Sequence, residues 1–141
     1  MPNFPDVATN DGNFQNIRKN AIRDRLNGSK LRIGGTKFLI GVKNRLLERF
    51  KIVGQTDFFN DTILLEANLT EGNTLITVLH EIIECISRKY HLDLPHELID
   101  GLETYLFQAL VDNPHFLKEL IIYAKKLDHD QITKTGKKNK K

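Results

Sequence analysis

Residues 73–90 constrain the fold more than any other segment, because their apolar side chains recur at the spacing of an α-helix. The apolar stripe consists of Ile76, Leu79, Ile83, Ile86 and Tyr90. The opposite, polar stripe consists of Thr77, His80, Glu81, Glu84 and Arg88. A helix with two such stripes buries its apolar side against another layer of the protein. We therefore expect a central helix whose apolar stripe faces a sheet and whose polar stripe is open.

Two segments before this helix have the pattern of β-hairpins. Residues 30–33 and 37–42 are β-prone runs on either side of a Gly-Gly pair, which is typical of a hairpin turn. Residues 54–58 and 62–66 flank a turn that contains Asn and Asp. After the central helix, two further helical patterns follow, separated by an Asp-Asn-Pro sequence. This order predicts an α+β fold in which a small antiparallel sheet of two hairpins packs on the central helix.

Composition predicts three parts of the chain. Residues 1–29 are expected to form an arm and a basic helix, residues 30–127 the folded domain, and residues 128–141 a basic, disordered tail. The net charge is +3, and the last eight residues hold the lysines Lys134, Lys137, Lys138, Lys140 and Lys141. Such a tail is usually only solvated, and the alternative is weak, non-specific contact with nucleic acid through Lys134 to Lys141.

The sequence contains no sign of a membrane or an oxidising compartment. No apolar run approaches the roughly 20 residues of a transmembrane helix, and the N-terminus lacks the charged and apolar regions of a signal peptide. Cys85 is the single cysteine, which excludes an internal disulfide framework. We expect a cytoplasmic protein without a membrane partner.

The polar stripe contains the motif His80-Glu81-x-x-Glu84. On a helix His80 and Glu84 lie one turn apart, the spacing with which zinc hydrolases place two metal ligands. Glu81 would then be the general base that takes a proton from metal-bound water. The third ligand is expected from the next helix, where Glu103 follows Glu84 at a separation close to that in thermolysin-like enzymes. His96 is the alternative, two helical turns before Glu103.

The same stripe also has a simpler interpretation, because the solvated face of any amphipathic helix has this composition. Glu84 and Arg88 would then form an ordinary ion pair one turn apart. Spacing alone therefore leaves a metal site and a solvated face both open.

Residues 30–113 resemble small phage and prophage proteins of the zincin-like class that are related to the ImmA/IrrE metallopeptidases. In that group a hairpin precedes a strand-turn-strand of the form Gly-x-x-Asp-aromatic and Ile-x-Leu. A helix with Leu-His-Glu-x-x-His and a second helix ending near Asp-Asn-Pro then follow. The matching segments here are residues 54–58, 63–65, 79–84 and 112–114.

The resemblance implies a zincin-like domain and a metal-dependent peptidase that acts on a protein or peptide. His80 and Glu81 match the motif of that class, whereas Glu84 stands where a histidine is usual. The resemblance makes zinc the expected ion. Manganese is the alternative, because a second carboxylate makes a bound ion less positive and favours harder metals. The competing hypothesis is an inactive zincin-like scaffold that binds a protein partner or, through its basic ends, nucleic acid.

Overall fold

The computed structural model describes residues 22–138, which form five helices and a four-stranded sheet. In chain order the elements are α1 (Ile22–Leu26), β1 (Lys30–Ile33), β2 (Thr36–Lys43), α2 (Leu46–Phe50), β3 (Gly54–Asp57), β4 (Thr62–Glu66), α3 (Glu71–Lys89), α4 (His96–Asp112) and α5 (Pro114–Lys138). Within these residues no helix combines the length and the apolarity needed to cross a membrane. The predicted α+β class is confirmed, and the predicted N-terminal arm lies outside the described residues.

The sheet has the order β1-β2-β4-β3 and is mixed. Both expected hairpins are present, because β1 pairs with β2 and β3 pairs with β4 in antiparallel directions. The two central strands, however, run parallel, with Leu39 opposite Thr62 and Lys43 opposite Glu66. The prediction of an entirely antiparallel sheet is therefore wrong. Parallel neighbours need a crossover connection, and here α2 and β3 lie between β2 and β4.

The turns have the residues that their backbone requires. Gly34 and Gly35 join β1 to β2 with φ angles of +53° and +88°, a region that favours glycine and suits the twist of a hairpin. In the second hairpin the carboxylate of Asp57 accepts hydrogen bonds from the backbone N–H groups of Phe59 and Asn60. The side chain of Asp57 thus replaces backbone partners at the tip of the turn.

Helix α3 packs on the sheet with a different face from the expected one. Thr70 begins it, since its hydroxyl accepts a hydrogen bond from the N–H of Asn73 at 3.2 Å. The buried side chains of α3 are Thr74, Thr77, Val78, Glu81, Ile83, Cys85 and Ser87. Ile86 and Tyr90, expected in the buried stripe, are 37% and 59% exposed. Thr77 and Glu81, expected on the open side, instead lie against the sheet.

Gly54 of β3 explains why a face with small and polar side chains can be buried. A Cβ at Gly54 would lie 2.5 Å from the methyl group of Thr77 and 2.8 Å from Oε1 of Glu81. The strand and the helix therefore approach each other more closely than any side chain at position 54 would permit. The hydroxyl of Thr77 donates to the carbonyl of Asn73 at 2.7 Å, so burial leaves this group hydrogen-bonded.

The described residues divide into two compact units, one ending at Asp100 and the other beginning at Gly101. The first unit contains the sheet, α3 and a core made of Ile33, Phe38, Ile40, Ile63, Leu65, Val78 and Cys85. The second unit contains the rest of α4 and all of α5, which continues as a helix to Lys138. The predicted domain boundary at residue 127 falls inside α5.

Candidate metal centre

The candidate centre is built on His80, which lies in the middle of α3 with its side chain 15% exposed. Its Nε2 atom is 3.9 Å from Oε2 of Glu84, one helical turn further along. Its Nδ1 atom is 3.4 Å from Oδ1 of Asp100. The two nitrogens of one imidazole therefore have two carboxylates as neighbours, one from α3 and one from α4.

Helix α4 brings a second imidazole to this position. The rings of His80 and His96 meet edge to face, with their centroids 4.9 Å apart. His96 and Asp100 are one turn apart on α4, and Nε2 of His96 is 4.0 Å from Oδ1 of Asp100. The start of α4 is fixed by Ser87 of α3, whose hydroxyl accepts a hydrogen bond from the N–H of Leu94 at 3.0 Å. The short loop before α4 is thus attached to the helix that carries His80.

Two groups of side chains can place ligand atoms within 4.8 Å of one another among the described residues. One is His80, His96 and Asp100, and the other is His80, Glu81 and Glu84. Ligand atoms about 2.0–2.1 Å from a tetrahedral ion lie about 3.3–3.4 Å apart. The distance of 3.4 Å between His80 and Asp100 has this value, whereas the 3.9 Å between His80 and Glu84 is wider. The group of His80, His96 and Asp100 could hold a metal ion.

Glu81 occupies a different environment from the other acidic residues of the motif. It is 2% exposed, and its Oε2 atom accepts a hydrogen bond from the hydroxyl of Thr56 at 2.6 Å. Thr56 and Gly54 lie on the same face of β3, because side chains alternate along a strand. The Glu81 carboxylate therefore lies under the outer strand of the sheet, next to His80 along α3.

Burial also affects Cys85, the residue after Glu84. The thiol lies 3.8 Å from the hydroxyl of Thr56, and its pKa is raised, mainly by burial and further by the nearby charges of Glu81 and Glu84. A raised pKa keeps the sulfur protonated, whereas a nucleophile or a metal ligand needs the thiolate. Cys85 is therefore a small buried side chain.

The remaining sequence-based expectations have different outcomes. Glu103 belongs to the second unit, and the groups above consist of residues of the first unit alone. The expected ion pair between Glu84 and Arg88 does not form within the described residues. Arg88 instead places its guanidinium carbon 4.2 Å from the ring centroid of Phe58.

Sequence reasoning did not assign a role to Asp100 or Thr56. Asp100 follows His96 by four residues, so the spacing of the motif on α3 occurs again at the start of α4. Thr56 follows Gly54 by two residues, which places both on one face of a strand. Both signals are visible in the sequence, but their partners become clear only when the elements are packed.

Comparison with protein-family models, with curated proteins and with solved structures finds no match to this chain. The resemblance to zincin-like phage proteins therefore stays a prediction based on the residues quoted above.

Proposed function

We propose that this protein is a peptidase that depends on a divalent metal ion bound by His80, His96 and Asp100. The observation that carries the proposal is the convergence of these three side chains, with one ligand atom of each within 4.8 Å of the others. Two imidazoles and one carboxylate form the donor set of thermolysin-type catalytic zinc sites. Zinc is therefore the ion we propose, with manganese as the alternative.

Glu84 takes a supporting role in this arrangement. Its carboxylate lies on the Nε2 side of His80, opposite the Nδ1 atom that faces Asp100. A carboxylate beside the second nitrogen of a ligand histidine helps to orient the ring, and at 3.9 Å Glu84 would act through its charge rather than through a hydrogen bond. In the reverse arrangement Glu84 is the ligand, and Asp100 orients the ring.

Glu81 is the residue that we propose as the general base. Its carboxylate belongs to the group within 4.8 Å of His80 and Glu84, and the hydroxyl of Thr56 fixes one of its oxygens. A zinc ion with three protein ligands supplies a Lewis acid and an activated water molecule. Taking a proton from a reacting group is the function that a positioned carboxylate performs in such a site.

The position of β3 supports a peptide as the substrate. Among the described strands β3 lies at the edge of the sheet, where β4 is its only neighbour, and the Glu81 carboxylate lies beneath it. The free edge of a strand binds an extended peptide through backbone hydrogen bonds. A peptide bound in this way would run past Glu81.

Metal content of the purified, untagged protein tests the site. We expect about one equivalent of zinc, the stoichiometry of a single site with three protein ligands. The metal should be lost in His80→Ala and His96→Ala and retained in His115→Ala, which removes an exposed histidine outside the group. Loss of metal in Glu84→Gln together with retention in Asp100→Asn would favour the reverse arrangement. A wild-type protein that binds no zinc or manganese after reconstitution would refute the proposal.

Hydrolysis of a fluorogenic peptide library tests the activity separately. Glu81→Gln should retain the metal and lose at least about 100-fold in rate, the contribution expected of a general base. A variant that keeps full activity would exclude Glu81 as the base. A protein that binds the metal but cleaves no peptide would exclude peptidase activity while leaving the metal site intact.

A further inference from the structure

A cavity of about 260 Å³ lies at the C-terminal end of α3, apart from the candidate metal ligands. Its floor is apolar and consists of the buried side chains Ile33, Phe38 and Cys85. Phe58 forms one wall, with its ring edge-on to that of Phe38 at a centroid distance of 6.2 Å. The floor and this wall offer a ligand an apolar surface.

Two cations line the same cavity. Arg88 lies over the face of Phe58, 4.2 Å from the ring centroid, and Nζ of Lys89 donates a hydrogen bond to the hydroxyl of Thr36 at 3.2 Å. Neither cation has a carboxylate within ion-pair distance among the described side chains. An arginine stacked on an aromatic ring retains N–H groups at its edge, which match the two oxygens of a carboxylate.

The position of Lys89 depends on the hairpin turn. A Cβ at Gly34 would lie 2.6 Å from Cδ of Lys89, so the lysine stem passes close over the turn. Gly34 therefore serves two purposes, since its positive φ forms the turn and its missing side chain admits Lys89. The ammonium group lies beside the cavity and is hydrogen-bonded to Thr36.

The charge of the lining indicates the charge of the ligand. Arg88 and Lys89 contribute two positive charges, and Asp61 contributes one negative charge. The cavity therefore has a net charge of +1, which matches a monoanion better than a doubly charged phosphate. The volume of the cavity indicates the size of the ligand's apolar part. A cavity of about 150 Å³ accepts a benzene molecule, so a cavity of about 260 Å³ has room for one ring and a carboxylate.

We propose that this cavity binds a small organic carboxylate with an apolar body of about one ring. The apolar body lies on Ile33, Phe38 and Phe58, and the carboxylate lies between Arg88 and Lys89. None of these residues belongs to the candidate metal centre. The proposal is therefore independent of metal binding and of peptidase activity, and it is tested on the full chain in the presence of EDTA.

Calorimetric titration with phenylacetate, and with phenylacetamide as the neutral counterpart, is the first test. Phenylacetate should bind with a Kd on the order of 1 mM, as expected for a small ligand at a partly open site. Phenylacetamide should bind at least about fivefold more weakly because it lacks the charge. Arg88→Gln and Lys89→Gln should each weaken phenylacetate binding by about three- to tenfold. Arg49→Gln removes an exposed cation away from the cavity and should leave the affinity unchanged.

Chemical-shift mapping of the backbone amide signals gives a second measurement of the same site. Phenylacetate at a concentration near its wild-type Kd should shift the signals of the lining residues Ile33, Phe58 and Cys85 in the wild type and in Arg49→Gln. At the same concentration the shifts should be smaller in Arg88→Gln, because less of that variant is occupied. Equal binding of the acid and the amide would overturn the proposal, as would unchanged affinity in both cavity variants. Binding that leaves these three signals unchanged would place the ligand elsewhere and would also refute it.

Discussion

Gly54 is the residue on which the position of Glu81 depends most directly. Its missing side chain permits contact between β3 and α3, and any Cβ there would meet both Thr77 and Glu81. Neither neighbour can yield easily, because Thr77 is hydrogen-bonded to its own helix and Glu81 to Thr56. The orientation of the proposed base is therefore coupled to the identity of a residue that has no functional group.

Gly54→Ala should lower the free energy of unfolding by about 1–3 kcal/mol, as overpacking of a closely packed site does. Chemical denaturation measures this change. Gly101→Ala is the matched control, since position 101 lies inside α4 and a Cβ there meets nothing within 4 Å. That control should be stabilised by about 0.5–1 kcal/mol, the helix preference of alanine over glycine. Equal effects in the two variants would contradict the close contact at Gly54.

Glu66 is a second buried carboxylate, and it has a structural purpose. It is 2% exposed, and its two oxygens accept hydrogen bonds from the N–H groups of Leu47 and Asn68 at 3.0 and 3.1 Å. The bond from Leu47 is the main reason that the pKa of Glu66 lies below its ordinary value of 4.5. The charged form thus satisfies backbone groups at the start of α2 and after β4.

The lowered pKa of Glu66 determines the sign of its pH dependence. Its stabilising effect is fully present above pH 4.5 and is lost as the pH falls through the lower pKa of the folded state. Glu66→Gln should therefore destabilise the protein at pH 7 by about 1–3 kcal/mol. It should also have a shallower loss of stability in acid than the wild type, measured by denaturation at several pH values. Glu48→Gln changes a carboxylate that is 70% exposed and should leave the slope unchanged.

At the scale of elements, β4 and α5 differ in how far their apolar side chains are buried. Leu65 of β4 is fully buried in the core of the first unit, whereas Leu120 of α5 is 44% exposed. No described side chain of α5 is buried. The same residue type therefore contributes differently to stability in the two units.

Leu65→Ala and Leu120→Ala form a matched pair that measures this difference. The core substitution should lower the free energy of unfolding by about 2–5 kcal/mol, because it removes buried methyl groups and leaves a cavity. The substitution in α5 should change it by less than about 1 kcal/mol, since an exposed leucine loses little burial. A large effect at Leu120 would show that α5 is covered in solution.

The elements also show what local sequence patterns can predict. The His80 and Glu84 spacing and the Gly34-Gly35 turn depend on neighbours in the chain, and both were predicted. The face of α3 that packs on the sheet was not predicted, because helical periodicity alone suggests that the most apolar stripe is buried. Here Gly54 admits Thr77 and Glu81 instead. The contact between His80 and Asp100 joins two helices, and no pattern within either helix specifies which residues meet.

At the scale of the whole molecule, the sheet contains one long-range connection. Each hairpin pairs strands that are adjacent in the sequence, whereas residues 39–43 of β2 pair with residues 62–66 of β4. The parallel alignment of these strands could not be predicted from local patterns, because it depends on the path that the chain takes through α2 and β3 between the two strands. All coupling between the two hairpins within the sheet passes through this pair of strands.

The parallel pair also has a consequence for the order of events during folding. Isolated hairpins form in about 1–10 μs, but joining them requires closure of the loop that contains α2 and β3, which costs chain entropy before new contacts repay it. We expect the folding transition state to contain the β2–β4 pair. Ile63→Val should then mainly slow folding, whereas Ile33→Val in the outer strand β1 should mainly accelerate unfolding. Stopped-flow kinetics across a denaturant series separates the two effects, and the reverse assignment would place the rate-limiting step in the first hairpin.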